Sequence, residues 1–262
     1  MTQETKGTAL VTGASSGIGE EFARQLAARG YSLVLVARRK DRLDALAGEL
    51  KGAHGVESET IEADLSTKKG VAATADRIKQ GDISVLVNSA GFGTNGEFVN
   101  LPLNREADEI DVNISALTQL THAAAGPMVE RGRGTIINLG SVAAFQPVPY
   151  MSTYAATKAY ILSFSEGLHE ELKPYGVTVT CLCPGIVLTG FQQSAKMDRE
   201  KIPKLGVLPT DKVVAAGLKG AARGKPVVIP GAMNKAAAQM TRISPRFLVR
   251  KVSGRMFKDV QE

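Results

Sequence analysis

Thr8-Ala-Leu-Val-Thr12 runs directly into Gly13-Ala-Ser-Ser-Gly17-Ile-Gly19, and Glu20 to Arg29 follow with helical periodicity, stopped by Gly30. A short apolar, β-branched run bounded by glycine reads as a buried strand, and Gly past the last periodic residue reads as a helix stop. Strand, glycine-rich turn and helix in immediate succession leave few folds open. Such a turn lets backbone approach a pyrophosphate, and the helix N-terminus offers free N–H groups and partial positive charge. Gly13, Ser15, Ser16, Gly17, Ile18 and Gly19 are therefore candidate cofactor contacts. The spacing is GxxxGxG, not the GxGxxG of the standard dinucleotide fingerprint. Glycines with a purely structural purpose remain the alternative.

The alternation continues. Tyr31–Ala37, Val56–Ala63, Ile83–Val87, Gly134–Leu139 and Val177–Leu182 read as further strands, and Asp41–Leu50 and Thr67–Lys79 as helices between them. A longer helical pattern covers Asn104 to Arg131, with Pro127 expected to kink or end it. Apolar runs separated by helices predict an α/β fold, a doubly wound parallel sheet of about seven strands buried on both faces. Length and composition suit one such domain: 262 residues, 44% hydrophobic and 22% charged. The boundary is expected near residue 231, with 232–262 as a helical extension.

The end of the second strand bears on the cofactor. A carboxylate there accepts from an adenosine ribose hydroxyl, whereas Arg accommodates a 2′-phosphate. This strand runs into Arg38-Arg39-Lys40, with no carboxylate before Asp41. Arg38 and Arg39 predict NADP(H) in preference to NAD(H); two solvated loop residues are the plainer reading.

Tyr154 and Lys158 stand four apart, one turn on a shared helix face. A phenol is a poor acid–base group at neutral pH, but a nearby ammonium favours the phenolate. The pair is thus a candidate general acid/base, although the same spacing arises by chance on many helices.

Taken together, these residues resemble the short-chain dehydrogenase/reductases, over about residues 7 to 231. TGxxxGxG is intact as Thr12 to Gly19, and the NNAG segment stands as Asn88-Ser-Ala-Gly91 with Ser in place of the second Asn. Ser141 precedes Tyr154 by thirteen residues, YxxxK follows, and Pro184-Gly185 ends the sixth strand. The resemblance implies an oxidoreductase in which Tyr154 exchanges the proton, Ser141 holds the substrate oxygen and Lys158 also binds the nicotinamide ribose. It implies that Asn113 props open a helix and holds a water that relays protons to Lys158. It places Asp64 and Leu65 at the adenine, Asn88, Ala90 and Gly91 at the adenosine ribose, and Pro184, Gly185, Ile186 and Thr189 near the nicotinamide. A homodimer or homotetramer is the family expectation, and a non-catalytic NADP-binding regulator on the same fold is the alternative function.

The substrate pocket is expected from Phe92, Val142, Phe145, Val148, Tyr150, Met151, Val187 and Phe191, with Phe98 and Leu188 nearby. So apolar a set suits a small apolar ketone, aldehyde or alcohol. Lys196, Asp198, Arg199, Glu200, Lys201 and Lys204 read either as the outer face of a lid or as a solvated helix. His54, His122 and His169 are scattered, which argues against a metal site. Cys181 and Cys183 share one strand face and read as small core residues. The polar Met1–Lys6 start has no secretory h-region, and no run is long enough to span a bilayer, so a cytoplasmic location is expected.

The net charge of +6 is concentrated at the end. Residues 232–262 hold seven Lys/Arg against Asp259 and Glu262, seven minus two, which is +5. No nucleic-acid-binding motif accompanies it. Ala232–Met240 and Phe247–Phe257 read as helices split by Ser244-Pro245. The second is basic and amphipathic, suited to an anionic membrane or a partner, or to packing on the body with a solvated basic face. Its bulk could also block one interface of a tetramer.

Overall fold

A computed structural model describes residues 6–198, 200–201 and 206–258. Arg199, Lys204, Asp259 and Glu262 lie outside the described residues. Seven strands form one parallel sheet in the order β3-β2-β1-β4-β5-β6-β7: β1 Thr8–Thr12, β2 Ser32–Ala37, β3 Ser58–Glu62, β4 Ile83–Asn88, β5 Gly134–Leu139, β6 Val177–Leu182 and β7 Val227–Val228. Successive strand residues point to opposite faces, and here both faces are apolar. Ala9, Val11, Leu33 and Leu35 pack on one side with α1 (Gly17–Ala27), α2 (Lys40–His54) and α8 (Thr210–Ala222). Leu10, Val34, Val36 and Leu86 pack on the other with α3 (Lys68–Lys79) and α5 (Leu117–Glu130), where α6 (Ser152–Leu172) also docks.

The order reverses between β1 and β4, the point at which open α/β sheets bind ligands beyond the carboxyl ends of their strands. Edge strand β3 is the exception to the continuous apolar runs: Ser-Glu-Thr-Ile-Glu is half exposed and shorter than its sequence predicts. Strand β7, only two residues long, carries too little pattern to be placed from sequence, but it pairs with Cys181 and Leu182.

The long central helix breaks elsewhere than Pro127. It consists of α4 (Leu103–Ile110), a π-helical segment at Asp111–Ala116, and α5, which continues through Pro127 to Glu130. After β6 come a short α7 (Phe191–Ser194) and an irregular stretch in which Lys201 pairs with Asp198 at 3.2 Å. Among its described residues this stretch is not the solvated helix that one of the two expectations gave it. α9 (Ala232–Ile243) and α10 (Arg246–Lys258) follow β7, separated at Ser244-Pro245, and fold back on the body. Ser253 donates to the Pro147 carbonyl at 2.9 Å, and Asn234 donates to the Gly206 and Pro230 carbonyls at 3.0 Å each.

A buried polar chain crosses the sheet near its carboxyl ends. Asn88 donates to Thr121 Oγ1 at 3.0 Å and to Asn138 Oδ1 at 2.9 Å, and Asn138 donates to Ser165 Oγ at 3.0 Å. Buried polar groups of this kind are costly to orphan. Asn138→Ala is expected to lower unfolding free energy by about 2–4 kcal/mol, read as a lower urea midpoint with an unchanged slope.

Candidate active site

A cleft of about 700 Å³ runs across the carboxyl ends of the strands. At one end lies the glycine turn. Gly13 and Gly17 adopt φ of 68° and 60°, a region that disfavours side chains. A Cβ on Gly19 would fall 2.3 Å from the Gly13 carbonyl oxygen, and one on Gly13 would fall 2.9 Å from the Ala90 backbone. Gly19 is therefore demanded by the turn's own packing and Gly13 by the Ala90 backbone that passes it. Ser16 caps α1 without a side-chain hydrogen bond, so the first-turn N–H groups have no side-chain acceptor. Ser15, Ser16, Gly17, Ile18 and Gly19 all line the cleft here.

Arg39 lies over this turn. Its Nη2 donates to Ser15 Oγ and Ser16 Oγ, both at 2.9 Å. Arg38 is largely exposed, with Nη1 4.0 Å from Asp64 Oδ2. Arg42, which the sequence did not single out, lines the same end. Uncapped N–H groups, two hydroxyls and three guanidinium side chains make a donor set that fits a phosphorylated dinucleotide. Asp64 also accepts from the Ser66 amide and hydroxyl, at 3.0 and 2.9 Å, and lines the cleft with Leu65, Ala90 and Gly91. Asn88 does not reach the cleft; its amide is committed to the polar chain through the sheet.

At the cleft's other end α6 brings Tyr154 and Lys158 together with Ser141, which follows β5. Lys158 Nζ donates to the Leu139 carbonyl at 2.8 Å and sits 5.5 Å from the centre of the Tyr154 ring. Ser141 lies beside the Tyr154 phenol and lowers its pKa, and its Oγ accepts the Ala143 amide at 3.1 Å. Burial dominates the titration of both groups. It pushes the Tyr154 phenol up to about 12 against the lowering effect of Ser141, and it pulls the Lys158 ammonium down to about 8. The expected lowering of the Tyr154 pKa by Lys158 is not what sets this phenol; burial is.

Asn113 lies in the π-helical segment and is buried. Its Nδ2 donates to the Phe92 carbonyl at 2.9 Å and to Thr157 Oγ1 at 3.0 Å, while its Oδ1 accepts the Phe92 amide at 3.3 Å. The side chain therefore braces the Gly91–Phe92 loop against α6 and does not enter the cleft. One turn earlier Glu109 is fully buried. Burial pushes its carboxyl up to about 7, despite hydrogen bonds from the Thr94 amide and hydroxyl at 2.9 Å each. Neighbouring Glu106 takes a hydrogen bond from Thr153 and shares the single Thr94 hydroxyl proton with Glu109.

The apolar wall holds Phe92, Val142, Val148, Met151, Val187 and Phe191, with Pro184, Gly185, Ile186 and Thr189 between them and the glycine turn. Phe191 packs on Tyr154 with ring centroids 5.3 Å apart, and the Arg105 guanidinium lies 4.5 Å from the Phe92 ring centre. Phe145 and Tyr150 lie elsewhere. Phe145 packs behind the site with Ile161 and Cys181. Tyr150, at φ 69°, faces a separate hollow beside Phe98. Phe98 and Leu188 are exposed and line no part of the cleft. In their place the wall is completed by Met197, Met256 and Phe257. Helical spacing marked the last two as apolar, but nothing in the sequence could dock them here.

A parallel sheet with this strand order, a glycine turn at its switch point, and Ser, Tyr and Lys converging at the far end of one cleft define a nucleotide-binding oxidoreductase. The chain belongs to the short chain dehydrogenase family, whose model matches residues 7–200. It is 36% identical over 201 residues to a very-long-chain 3-oxoacyl-CoA reductase of Anas platyrhynchos, covering 74% of this chain and 64% of the relative. The chain spans less than two thirds of the length of such curated relatives. Among solved structures it resembles a short-chain dehydrogenase from Sphingobium yanoikuyae in complex with NADPH, at 38% identity and a TM-score of 0.82, covering 92% of this chain and 97% of that one. It also resembles the bulky-bulky ketone specific alcohol dehydrogenase from Comamonas testosteroni, at 35% identity and a TM-score of 0.80, covering 91% and 93%.

The raised Glu109 carboxyl carries a pH signature. From about pH 4.5 to about pH 7 the folded chain holds a proton there that the unfolded chain has released, so this group's contribution to stability falls as pH rises. Glu109→Gln removes that loss. Its stability is expected to match the parent near pH 4 and to exceed it near pH 8 by on the order of 2 kcal/mol, measured by denaturant unfolding at both pH values.

Proposed function

We propose that the protein is an NADP(H)-preferring carbonyl reductase acting on apolar ketones or aldehydes, bulky ketones and 3-oxoacyl thioesters being the substrate classes best suited to its wall. The observation that carries the reading is the convergence of Ser141, Tyr154 and Lys158 at the apolar end of the same cleft whose other end holds the uncapped α1 N-terminus and Arg38, Arg39 and Arg42. When bound, the reduced nicotinamide supplies a hydride to the carbonyl carbon.

The chain's residues do the rest. Ser141 and Tyr154 donate to the carbonyl oxygen and hold it in place. Tyr154 transfers its proton to that oxygen as the C–O π bond breaks, leaving a phenolate and an alcohol. Lys158 is positioned to stabilise the phenolate, and its ammonium, at about 8, can pass on a proton near neutral pH. Asn113 acts as a positioning residue through the Phe92 loop and Thr157; its side-chain donors are already spent. Phe92, Val148, Met151, Val187 and Phe191 exclude water from the carbonyl. Asp64, Leu65, Ala90 and Gly91 frame the adenosine half, and Pro184, Gly185, Ile186 and Thr189 the nicotinamide half. A homo-oligomer in the cytoplasm is the accompanying reading.

Tyr154→Phe keeps the fold and the cofactor contacts but removes the proton donor. Its turnover is expected to fall by about 10²–10⁴-fold or more, with NADPH affinity, read by fluorescence titration, within a few-fold of the parent. Unchanged turnover would refute the assignment. Arg38→Ala with Arg39→Ala is expected to raise KM for NADPH by about tenfold or more and leave KM for NADH nearly unchanged. Steady-state kinetics with both cofactors, over a panel of bulky ketones and 3-oxoacyl thioesters, gives this result and the substrate class together.

A further inference from the structure

Helices α9 and α10 are amphipathic in an inverted sense. On α9 the buried or half-buried positions are Asn234, Ala238 and Thr241, a stripe of small or polar residues at i, i+4 and i+7. On α10 the corresponding stripe includes Val249, Ser253 and Phe257. The larger apolar residues mostly face outward: Ile243 is 77% exposed, Phe247 60% and Val252 61%, and Met233, Met240, Leu248 and Met256 are each about half exposed. Leu248, Val252 and Met256 form one i,i+4 row, and Phe247, Lys251 and Arg255 form another alongside it.

The charge on this face has one sign. Residues 232–258 hold Lys235, Arg242, Arg246, Arg250, Lys251, Arg255 and Lys258 and no Asp or Glu. All seven are exposed, and among the described residues none is ion-paired with a carboxylate. A solvated face needs no large apolar side chains. A self-interface would set seven cations against their own copies, because an isologous contact meets itself, and interface cores are depleted of such charge. Basic residues interleaved with Phe, Leu, Ile and Met match a lipid surface, with acyl chains taking the apolar side chains and anionic headgroups taking the cations.

We propose that the outer face of α9 and α10 docks on an anionic lipid surface. The Leu248–Val252–Met256 row ends at the cleft, where Met256 and Phe257 form part of the wall. Docking therefore sets the mouth of the apolar cleft at the headgroup level, within reach of a carbonyl compound dissolved in the bilayer. Docking itself stands apart from the carbonyl-reductase reading; only the entry route rests on it.

The test is co-sedimentation of the full-length protein with vesicles of phosphatidylcholine alone and of phosphatidylcholine with phosphatidylserine, at low and high salt. Binding is expected with phosphatidylserine, to weaken as salt is raised, and to be near background on phosphatidylcholine alone. Lys251→Gln with Arg255→Gln should lower the partition coefficient by about thirty-fold. Leu248→Ser with Val252→Ser should lower it by at least about tenfold. Neither pair lines the cleft, so turnover of a water-soluble ketone should be unchanged in both. Equal binding to both vesicle types, or none to either, overturns the proposal. So does light scattering that shows a dimer dispersed by the Leu248/Val252 pair without any vesicle binding, which would assign the face to a second copy. Because sedimentation needs no turnover, failure of the reductase reading would leave this result interpretable.

Discussion

Thr12 Oγ1 accepts the main-chain N–H groups of Ser89 and Ala90, each at 3.0 Å, and so ties the end of β1 to the segment leaving β4. This junction is the sheet's switch point. The Gly13 backbone passes so close to Ala90 that no side chain fits between them, and Gly19 packs as tightly on the Gly13 carbonyl. One hydroxyl and two missing Cβ atoms thus fix the separation of the glycine turn from the Ala90–Phe92 loop. The Asn113 bridge then carries that loop's position to Thr157 on α6, three residues beyond Tyr154. The two ends of the cleft are coupled through main chain and short polar side chains, with no long flexible side chain in the path.

The electrostatics of the far end follow from burial more than from pairing. Lys158 and Tyr154 are both shifted toward their neutral forms, since each loses hydration that no full opposite charge replaces. The same holds for Glu109, whose two Thr94 donors compensate only part of its desolvation. Its Oε1 has no hydrogen-bond partner among the described residues. Two ionisable groups shifted by burial at one end of a cleft, with a third, Glu109, close behind them, is a pattern of functional sites, and a cation arriving beside Tyr154 would favour the phenolate.

Much of this was legible in the chain, for identifiable reasons. Strands buried on both faces leave continuous apolar runs, and glycine turns leave glycines, so β1, β2, β4, β5, β6 and the glycine turn could be read directly. Edge strands β3 and β7 could not be delimited well, because an edge needs no continuous apolar run and two residues make no period. The π-helical segment was invisible, since Asp111–Ala116 carries ordinary helical residues; the visible irregularity, Pro127, lies near a helix end where the chain tolerates it. Phe145 and Tyr150 were misplaced for a geometric reason. The chain after Ser141 makes a 3₁₀ turn, Val142–Phe145, from which Phe145 packs on Ile161 and Cys181, and Tyr150 sits in a left-handed conformation beside a separate hollow. Met256 and Phe257 reach the wall through contacts distant in sequence: Ser253 with Pro147, over a hundred residues away, and Phe257 with the cluster around Met151 and Met197.

The Ser253–Pro147 contact marks a division in how tightly the parts of the cleft are held. The glycine turn, Ser141, Tyr154 and Lys158 are locked into the sheet and into one another, so a substitution at any of them is felt across the whole cleft. Met256 and Phe257, by contrast, are held to the body by the Ser253 hydroxyl and by the packing of Phe257 on the cluster around Met151 and Met197. Drift in the final helix can reshape the cleft while leaving Ser141, Tyr154 and Lys158 where they are. Two chains with the same first two hundred residues could therefore share a chemistry and differ in diet, and likeness in that stretch alone is a poor guide to what either consumes.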